Sequence, residues 1–272
     1  MNDVLELAIR AAIEAAAVID AVYRQPIAVT AKADGSPVTV ADAAAEAVIL
    51  ERLAETGLPV LAEESVAAGR IPVLGETYFV VDPLDGTKEF IKRNGEFTVN
   101  IALVEGSRPV LGVVLAPATG TLYAGGPDGA FTAQVTDDAV GERHPIAVDA
   151  EGPMRVVASR SHGHGALHDL CAELAVTEDV SVGSSLKFCL LAEGKARLYP
   201  RFTPTCEWDT AAGQAVLEAA GGAVLMLDGT PLRYGKAANG FLNPFFVAAS
   251  GPDLARKAAM RMEKLVALTD TR

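Results

Sequence analysis

The chain has 272 residues, half of them hydrophobic, and its 23 Lys and Arg against 35 Asp and Glu give a formal net charge of −12. This length can bury a sizeable core, either as one large α/β unit or as two modest domains. The negative charge excludes nucleic acid as an expected partner because its phosphates would be repelled. A small phosphorylated ligand stays compatible with that charge, since bound metal ions can invert the local sign.

The three cysteines, Cys171, Cys189 and Cys206, are isolated, so the sequence indicates neither a disulfide framework nor a zinc site. We therefore expect a cytoplasmic protein. Charged residues recur through the apolar N-terminal stretch, which neither a signal peptide nor a membrane span would tolerate. No integral membrane segment is expected, while peripheral association with the inner membrane and a homodimer stay open.

Predicted helices and strands mix along the whole chain. Apolar spacing predicts helices at 4–23, capped by Asn2 or Asp3, and at 41–54, after Thr39. Strands are predicted at 59–62, 78–81, 97–104, 110–116 and 121–124, before a Gly/Asp-rich interval at 125–141. We then expect strands at 155–158, near 180, and at 196–199, 223–227 and 245–249, with helices at 165–174, 185–193, 209–220 and from 252 onward.

This mixture predicts an α/β fold without internal repeats or a low-complexity linker. A boundary near 145–155 would separate an N-terminal part, 1–150, from a C-terminal part, 151–272. Acidic residues that look functional fall on both sides of it. We therefore expect one catalytic unit, 1–272, in which both parts share a single site.

Acidic residues stand at the ends of several predicted elements: Asp42, Glu63, the pair Asp82 and Asp85, and Asp209. Mg²⁺ prefers oxygen ligands and often combines a few carboxylates with substrate phosphate. In the stretch DPLDGT, the proline predicts a turn that would bring both carboxylates and the Leu84 carbonyl together. Backbone N–H groups of the following Gly-Thr would then face a phosphate.

Each of these motifs also has a structural interpretation. D-P-x-D-G is a common turn signature, and Glu63-Glu64 could be a solvated loop pair. Asp42 lies three residues after Thr39, as in a helix capping box, and Asp209 could be only a helix N-cap. Their joint occurrence favours a metal site over four unrelated structural motifs.

The stretches LAEES, VDPLDGT and EWDTAAGQAVLEAAGG resemble the lithium-sensitive, magnesium-dependent phosphomonoesterases of the inositol monophosphatase superfamily. That superfamily includes fructose-1,6-bisphosphatases and bisphosphate nucleotidases. The stretches SPVTVAD, TKEF, SRSH and GSSLKFCLLAEGKARLYPRFTPT are similar to 3′(2′),5′-bisphosphate nucleotidases of the CysQ type, over essentially the whole chain. The resemblance implies a layered αβαβα sandwich.

The resemblance also implies roles for the acidic residues. Two or three Mg²⁺ ions would be held by carboxylates and one carbonyl, with the scissile phosphate beside them. The implied metal ligands are Glu63, Asp82 as the bridging residue, the Leu84 carbonyl, Asp85 and Asp209. Gly86 and Thr87 would bind the scissile phosphate. The substrate would also contact Glu63, Leu84, Asp85 and Asp209. Asp42 with the Thr87 hydroxyl would activate the attacking water, alongside Glu63.

Nucleotide recognition would depend, by the same resemblance, on His162, Ser184, Lys187 and Arg201. The implied reaction removes the 3′-phosphate of adenosine 3′,5′-bisphosphate to give AMP, with 3′-phosphoadenosine 5′-phosphosulfate as a second substrate in sulfur metabolism. Lithium inhibition is implied too. Two alternatives stay open: an inositol monophosphatase or fructose-1,6-bisphosphatase, and a non-catalytic protein that senses a metal or a nucleotide.

Overall fold

A computed structural model describes residues 1–26, 29–31, 37–158 and 165–269 of the chain. Eight α-helices lie within these residues. They are α1 (Asn2–Tyr23), α2 (Val40–Leu53), α3 (Glu63–Ala67), α4 (Thr87–Ile91), α5 (Gly165–Glu173), α6 (Leu186–Ala192), α7 (Ala211–Ala219) and α8 (Pro252–Thr269). Short 3-10 helices occupy Ala54–Thr56, Pro117–Thr119 and Ala237–Asn239.

The larger of the two main sheets has the strand order β10-β8-β7-β6-β5-β4-β3, with β9 paired to β8. These strands are β3 (Val60–Ala62), β4 (Thr77–Asp85), β5 (Thr98–Glu105), β6 (Arg108–Ala116), β7 (Thr121–Gly126), β8 (Gly129–Thr136), β9 (Ala139–Val140) and β10 (His144–Ile146). A separate antiparallel pair joins β1 (Val29–Ala31) and β2 (Pro37–Thr39). All neighbours in the larger sheet are antiparallel except β3 and β4, which run parallel.

The smaller sheet has five strands in the order β12-β11-β13-β17-β15. They are β11 (Arg155–Ala158), β12 (Glu178–Ser181), β13 (Leu198–Arg201), β15 (Ala223–Met226) and β17 (Phe246–Ala249). Two short strands, β14 (Thr205–Cys206) and β16 (Leu242–Asn243), pair separately. The chain passes from the larger sheet to the smaller one between β10 and β11, inside the interval where a boundary is predicted.

Three hydrophobic clusters show how the layers stack. The first packs α1 and α2 onto one face of the larger sheet, through residues such as Phe79 and Ile101. The second fills the space between the two sheets with side chains of α6 and α7. The third packs α5 and α8 onto the outer face of the smaller sheet. This order of layers is the αβαβα sandwich, so the predicted fold class is confirmed.

The close approach of α7 to the larger sheet depends on a glycine. A Cβ at Gly112 on β6 would overlap the carbonyl oxygen of Ala212 on α7. Only glycine allows helix and strand backbones to come this close without displacement. The start of α7, where Asp209 lies, is therefore held firmly against the sheet that carries Asp82 and Asp85.

Several predicted elements need correction. Strand β4 continues through the stretch predicted as a turn and ends only at Asp85. Helix α1 has Met1 at its N-cap position without a side-chain cap, so the predicted capping by Asn2 or Asp3 is wrong. The Gly/Asp-rich interval contains strands β8 and β9. Paired antiparallel neighbours supply the hydrogen bonds there, and the sequence pattern does not reveal them.

Candidate active site

A β-bulge explains why two carboxylates end the buried strand β4. Asp82 pairs with Asn100 and Asp85 with Thr98, so three steps on β4 match two steps on β5. Side chains alternate between the faces of a strand, and residues three apart would ordinarily point to opposite sides. One extra residue in the bulge brings them to the same side. The Leu84 N–H donates to Asp82 Oδ1 at 3.0 Å and holds the first carboxylate in place.

Asp209 joins this pair from the other half of the chain. Its Oδ2 accepts the backbone N–H of Cys206 at 2.9 Å. Thr210, not Asp209, occupies the N-cap position of α7, so the N-cap interpretation of Asp209 is wrong. Asp82, Asp85 and Asp209 each place a carboxylate oxygen within 4.8 Å of the others. We call these three residues the acidic cluster.

Burial and mutual charge repulsion make the acidic cluster a candidate cation site. Burial raises the pKa of Asp82, and the charges of Glu63, Asp85 and Asp209 raise it further. Burial, then the charges of Asp85 and Glu63, raise the pKa of Asp209 to about 8. Burial also raises the pKa of Asp85, although Lys187 opposes this effect. Carboxylates under such strain are stabilised by a divalent cation that restores their ionised form.

Glu63 begins α3 beside the acidic cluster. It shares a hydrogen bond with Asp82 and contributes to the raised pKa of that residue. Among the described residues it is not part of the three-carboxylate group that meets within 4.8 Å. The start of α3 is held by Glu46, a buried residue of α2, which accepts the Glu64 N–H at 2.7 Å and the Ser65 hydroxyl at 2.6 Å.

Asp42 makes the contacts that both of its sequence interpretations require, the helix capping box and the pairing with Thr87. Its Oδ2 accepts the N–H and the hydroxyl of Thr39, each at 2.8 Å, and completes the capping box of α2. Its Oδ1 accepts the Thr87 hydroxyl at 3.2 Å. The same hydroxyl lies 3.4 Å from the Leu84 carbonyl oxygen. Asp42, Leu84 and Thr87 are therefore brought together next to the bulge.

Gly86 connects the bulge to the short helix α4 and occupies its N-cap position. Its φ of 94° lies in the left-handed region, where a side chain is strained. A Cβ there would lie 3.1 Å from the Glu96 carbonyl oxygen. A glycine is thus required for the backbone to turn from Asp85 into Thr87.

A cavity of about 140 Å³ lies next to the acidic cluster. Its lining includes the acidic-cluster residues Asp85 and Asp209, with Gly86, and also Ser184, Lys187 and Arg201. We call Lys187 and Arg201 the basic wall. Arg201, the least constrained assignment in the sequence, thus shares the cavity with the other predicted residues. His162 lies outside the described residues.

The two cations of the basic wall are held by main-chain oxygens. Lys187 is buried, and its Nζ donates to the Ser184 carbonyl at 2.9 Å. Burial lowers the pKa of this lysine to about 8, although the charge of Asp85 opposes the decrease. Arg201 Nε donates to the Thr203 carbonyl at 3.2 Å. Both side chains keep further N–H donors for an anionic ligand.

Four polar residues around the site escape the sequence analysis: Glu46, Asn100, Ser185 and Glu207. Glu207 has no exposed surface, and its carboxylate accepts the backbone N–H groups of Gly235 at 2.9 Å and Lys236 at 2.8 Å. An ion pair with Lys236 Nζ at 2.9 Å completes its contacts. A polar residue inside an apolar run, such as Asn100 in the buried strand β5, is the signal that could have indicated these positions.

No helix among the described residues is long and apolar enough to cross a membrane, as the sequence predicts. Nothing further about location follows from this observation.

Comparison with known proteins supports the resemblance seen in the sequence. The model of the inositol monophosphatase family matches residues 1–268. A relative in Escherichia coli (strain K12), the 3′(2′),5′-bisphosphate nucleotidase CysQ, is 48% identical over 82% of this chain and 89% of its own length. The crystal structure of CysQ from Bacteroides thetaiotaomicron, described as a bacterial member of the inositol monophosphatase family, superposes with a TM-score of 0.76 at 43% identity. That superposition covers 91% of this chain and 97% of the Bacteroides chain.

Inositol monophosphatase from Anabaena sp. PCC 7120 superposes with a TM-score of 0.74 at 26% identity, covering 97% of this chain and 96% of that chain.

Proposed function

Because the chain belongs to the inositol monophosphatase family, we propose that it is a 3′(2′),5′-bisphosphate nucleotidase. Its reaction would hydrolyse the 3′-phosphate of adenosine 3′,5′-bisphosphate to AMP and phosphate. 3′-Phosphoadenosine 5′-phosphosulfate carries the same 3′-phosphate and is a second expected substrate. The observation that carries the proposal is one cavity lined both by Asp85 and Asp209 of the acidic cluster and by the two cations of the basic wall.

The acidic cluster fits Mg²⁺ by its donor chemistry. Its donors are carboxylate oxygens, which hard divalent cations prefer, and burial and their mutual repulsion raise the pKa of Asp82. Asp82, Asp85 and Asp209, with Glu63 and the Leu84 carbonyl, would hold two or three ions. When bound, Mg²⁺ would neutralise these carboxylates and stabilise the charge that develops on the phosphoryl oxygens.

Asp42 and Thr87 would position and deprotonate the attacking water. The Thr87 hydroxyl donates its only hydrogen to Asp42 Oδ1, so its oxygen lone pairs can accept a hydrogen bond from water. The Thr39 contacts fix the other carboxylate oxygen, which keeps Oδ1 directed at Thr87. A carboxylate held in this way can take up the proton that the water loses.

The basic wall supports a substrate with a second phosphate. Inside a strongly acidic protein, an anionic group distant from the metals needs local cations. Lys187 and Arg201 supply two such charges within the same cavity, and Ser184 lies beside them. Gly86 and Thr87 would contact the scissile phosphate through their backbone N–H groups. His162 stays a predicted contact to the nucleotide.

A panel of substrates tests the proposal. Phosphate release by the full chain with Mg²⁺ is compared for adenosine 3′,5′-bisphosphate, inositol 1-phosphate and fructose 1,6-bisphosphate. We expect kcat/KM for the nucleotide to exceed the others by at least about tenfold, and EDTA to abolish turnover. A preference for a sugar phosphate would instead assign the chain to another branch of its family. Calorimetric binding of the nucleotide without phosphate release would indicate a sensor.

The variant Arg201→Ala tests the basic wall directly. It should raise KM for adenosine 3′,5′-bisphosphate by about tenfold and leave adenosine 3′-monophosphate nearly unaffected, because the monophosphate lacks the second charge. An equal loss for both substrates would remove Arg201 from the recognition of that charge.

The remaining properties stay predictions of the same proposal: one catalytic unit, 1–272, inhibition by lithium, a cytoplasmic location with or without peripheral membrane contact, and a homodimer as one option for assembly.

A further inference from the structure

The turn between β12 and α6 carries two adjacent serines whose surroundings differ. Within this turn, the Gly183 N–H donates to Glu96 Oε2 at 2.9 Å, which fastens the turn to another residue that lines the cavity. Ser184 has a left-handed backbone with φ of 47°, and its buried hydroxyl has no hydrogen-bond partner among the described residues. Ser185 is almost fully buried, at 1% exposure.

Ser185 contacts both halves of the acidic cluster. Its hydroxyl donates to the Asp209 backbone carbonyl at 3.0 Å. The same hydroxyl accepts Asn100 Nδ2 at 3.0 Å, and that amide lies 3.4 Å from Asp85 Oδ2. The Asp85 carboxylate also accepts a hydrogen bond from the Ser185 backbone N–H. One buried serine thus connects the carboxylate on β4 with the carboxylate that precedes α7.

The position of Asp209 relative to Asp85 depends on few other polar contacts. The two residues come from different halves of the chain, and no strand pairing joins their segments. The Cys206 N–H orients the Asp209 carboxylate from within its own segment only. Ser185 and Asn100 supply hydrogen bonds that run from one segment to the other.

We propose that Ser185 is a positioning residue for the metal site, which sets the separation of Asp85 and Asp209 and joins them to the turn that carries Ser184 and to the start of α6, which carries Lys187. This inference rests on the proposed function. It assigns different roles to two neighbouring serines: Ser185 acts through the metal ligands, whereas Ser184 offers its free hydroxyl to the nucleotide. Residues that hydrogen-bond metal ligands commonly change metal affinity by about 10–100-fold when they are replaced.

The test compares Ser185→Ala with Ser184→Ala in the full chain, using Mn²⁺ alone as the probe in calorimetric titrations without substrate. We expect Ser185→Ala to weaken Mn²⁺ binding by at least about tenfold. Ser184→Ala should leave Mn²⁺ affinity within about twofold of the wild type and raise KM for adenosine 3′,5′-bisphosphate. The variant Ser185→Cys, which retains a weak donor, should recover part of the lost affinity.

Circular dichroism and thermal unfolding in EDTA accompany both variants, because the two alanines should leave the metal-free fold equally intact. If Ser185→Ala does not fold, Asn100→Ser provides a second variant that removes the amide bridge and should also weaken Mn²⁺ binding. Equal Mn²⁺ affinities for wild type and Ser185→Ala would overturn the inference. Absence of Mn²⁺ binding by the wild type would instead overturn the proposed function itself, so the two failures are distinguishable.

Discussion

Residues of the acidic cluster and of the basic wall line the same cavity, yet the chain holds them in different ways. Backbone N–H groups of Leu84 and Cys206 donate directly to the carboxylates of the cluster. The cations of the wall are themselves donors: each uses an N–H on a nearby carbonyl, Arg201 also hydrogen-bonds Tyr199, and both side chains have further N–H groups. The carboxylates of the acidic cluster are therefore held in fixed positions. The cations of the basic wall keep N–H donors that can bind an anionic ligand.

This difference predicts different consequences for changes on the two sides. Replacement of a carboxylate should alter the chemistry without moving the backbone, because the bulge and α7 set the positions. Replacement of a cation should alter the affinity for one class of substrate. Four experiments test this difference between the acidic cluster and the basic wall.

The largest effect is expected for Asp85→Asn. The amide retains the shape but removes one charge from the cluster, so kcat should fall by at least about a thousandfold while the fold stays intact. Phosphate release with Mg²⁺ and circular dichroism measure the two quantities. The control Asp138→Asn changes an exposed acid on a distant turn, at φ 60°, and should be neutral. Near-normal turnover of Asp85→Asn would show that the cluster is not the reaction centre.

A smaller effect is expected for Thr87→Val, which keeps the side-chain volume and removes the hydroxyl that contacts Asp42. We expect kcat to fall by about a hundredfold because proton transfer from water is impaired. Mn²⁺ affinity, measured by calorimetry, should change little. The exposed residue Thr119 offers a matched control, Thr119→Val. Loss of Mn²⁺ affinity in Thr87→Val would place Thr87 in the metal site rather than beside the water.

Removal of the buried ammonium in Lys187→Met should act mainly on KM. We expect about a tenfold rise for adenosine 3′,5′-bisphosphate and little change for adenosine 3′-monophosphate. Steady-state kinetics with both substrates separates the two cases. Lys88 also lines the cavity but is exposed, so Lys88→Met should have a weaker effect. A fall in kcat for both nucleotides would mean that Lys187 serves the acidic cluster instead of the second phosphate.

The smallest effect concerns stability of the metal-free protein. The folded-state pKa of Asp209 is raised to about 8, so this group stabilises the fold at low pH and loses that contribution as pH rises through about 8. In EDTA, the unfolding midpoint should fall by several degrees between about pH 5 and pH 8.5, because 1 kcal/mol corresponds to roughly 2–4 °C. Thermal scans measure this slope.

Saturating Mg²⁺ should remove the slope, since the ion keeps the carboxylates ionised and stabilised. If the wild type and Asp209→Asn show the same slope of unfolding midpoint against pH in EDTA, the assignment of this slope to the acidic cluster is contradicted.

Much of the architecture was predictable from local patterns. Helices α2, α5 and α8 and strands β5, β6 and β11 lie within a few residues of their predicted bounds. Apolar periodicity and caps are local signals that short segments carry by themselves. Strands β8 and β9 were missed because glycines and aspartates suggest loops, whereas here they accompany the tight turns of two hairpins, β7–β8 and β8–β9.

Some residues of the candidate site were predictable from the sequence, and others were not. Asp82 and Asp85 stand in one hexapeptide, and their proximity could be inferred, although a bulge rather than a turn produces it. Glu207 and Ser185 were not inferred, because each acts through contacts with segments far away in the chain. The role of such polar residues can be inferred only when the segments that they join are known.

From the sequence alone, residue types at short, fixed spacings indicated the oxygen-rich character of the site, and the resemblance to the inositol monophosphatase superfamily implied the layered fold. Three features required the tertiary structure. Asp42 contacts both the helix cap and Thr87, and Arg201 lines the same cavity as Lys187. Ser185 links the two halves of the acidic cluster. The reason is physical. Hydrogen bonds between distant segments depend on how the two sheets and α7 pack, and that packing is a property of the whole chain.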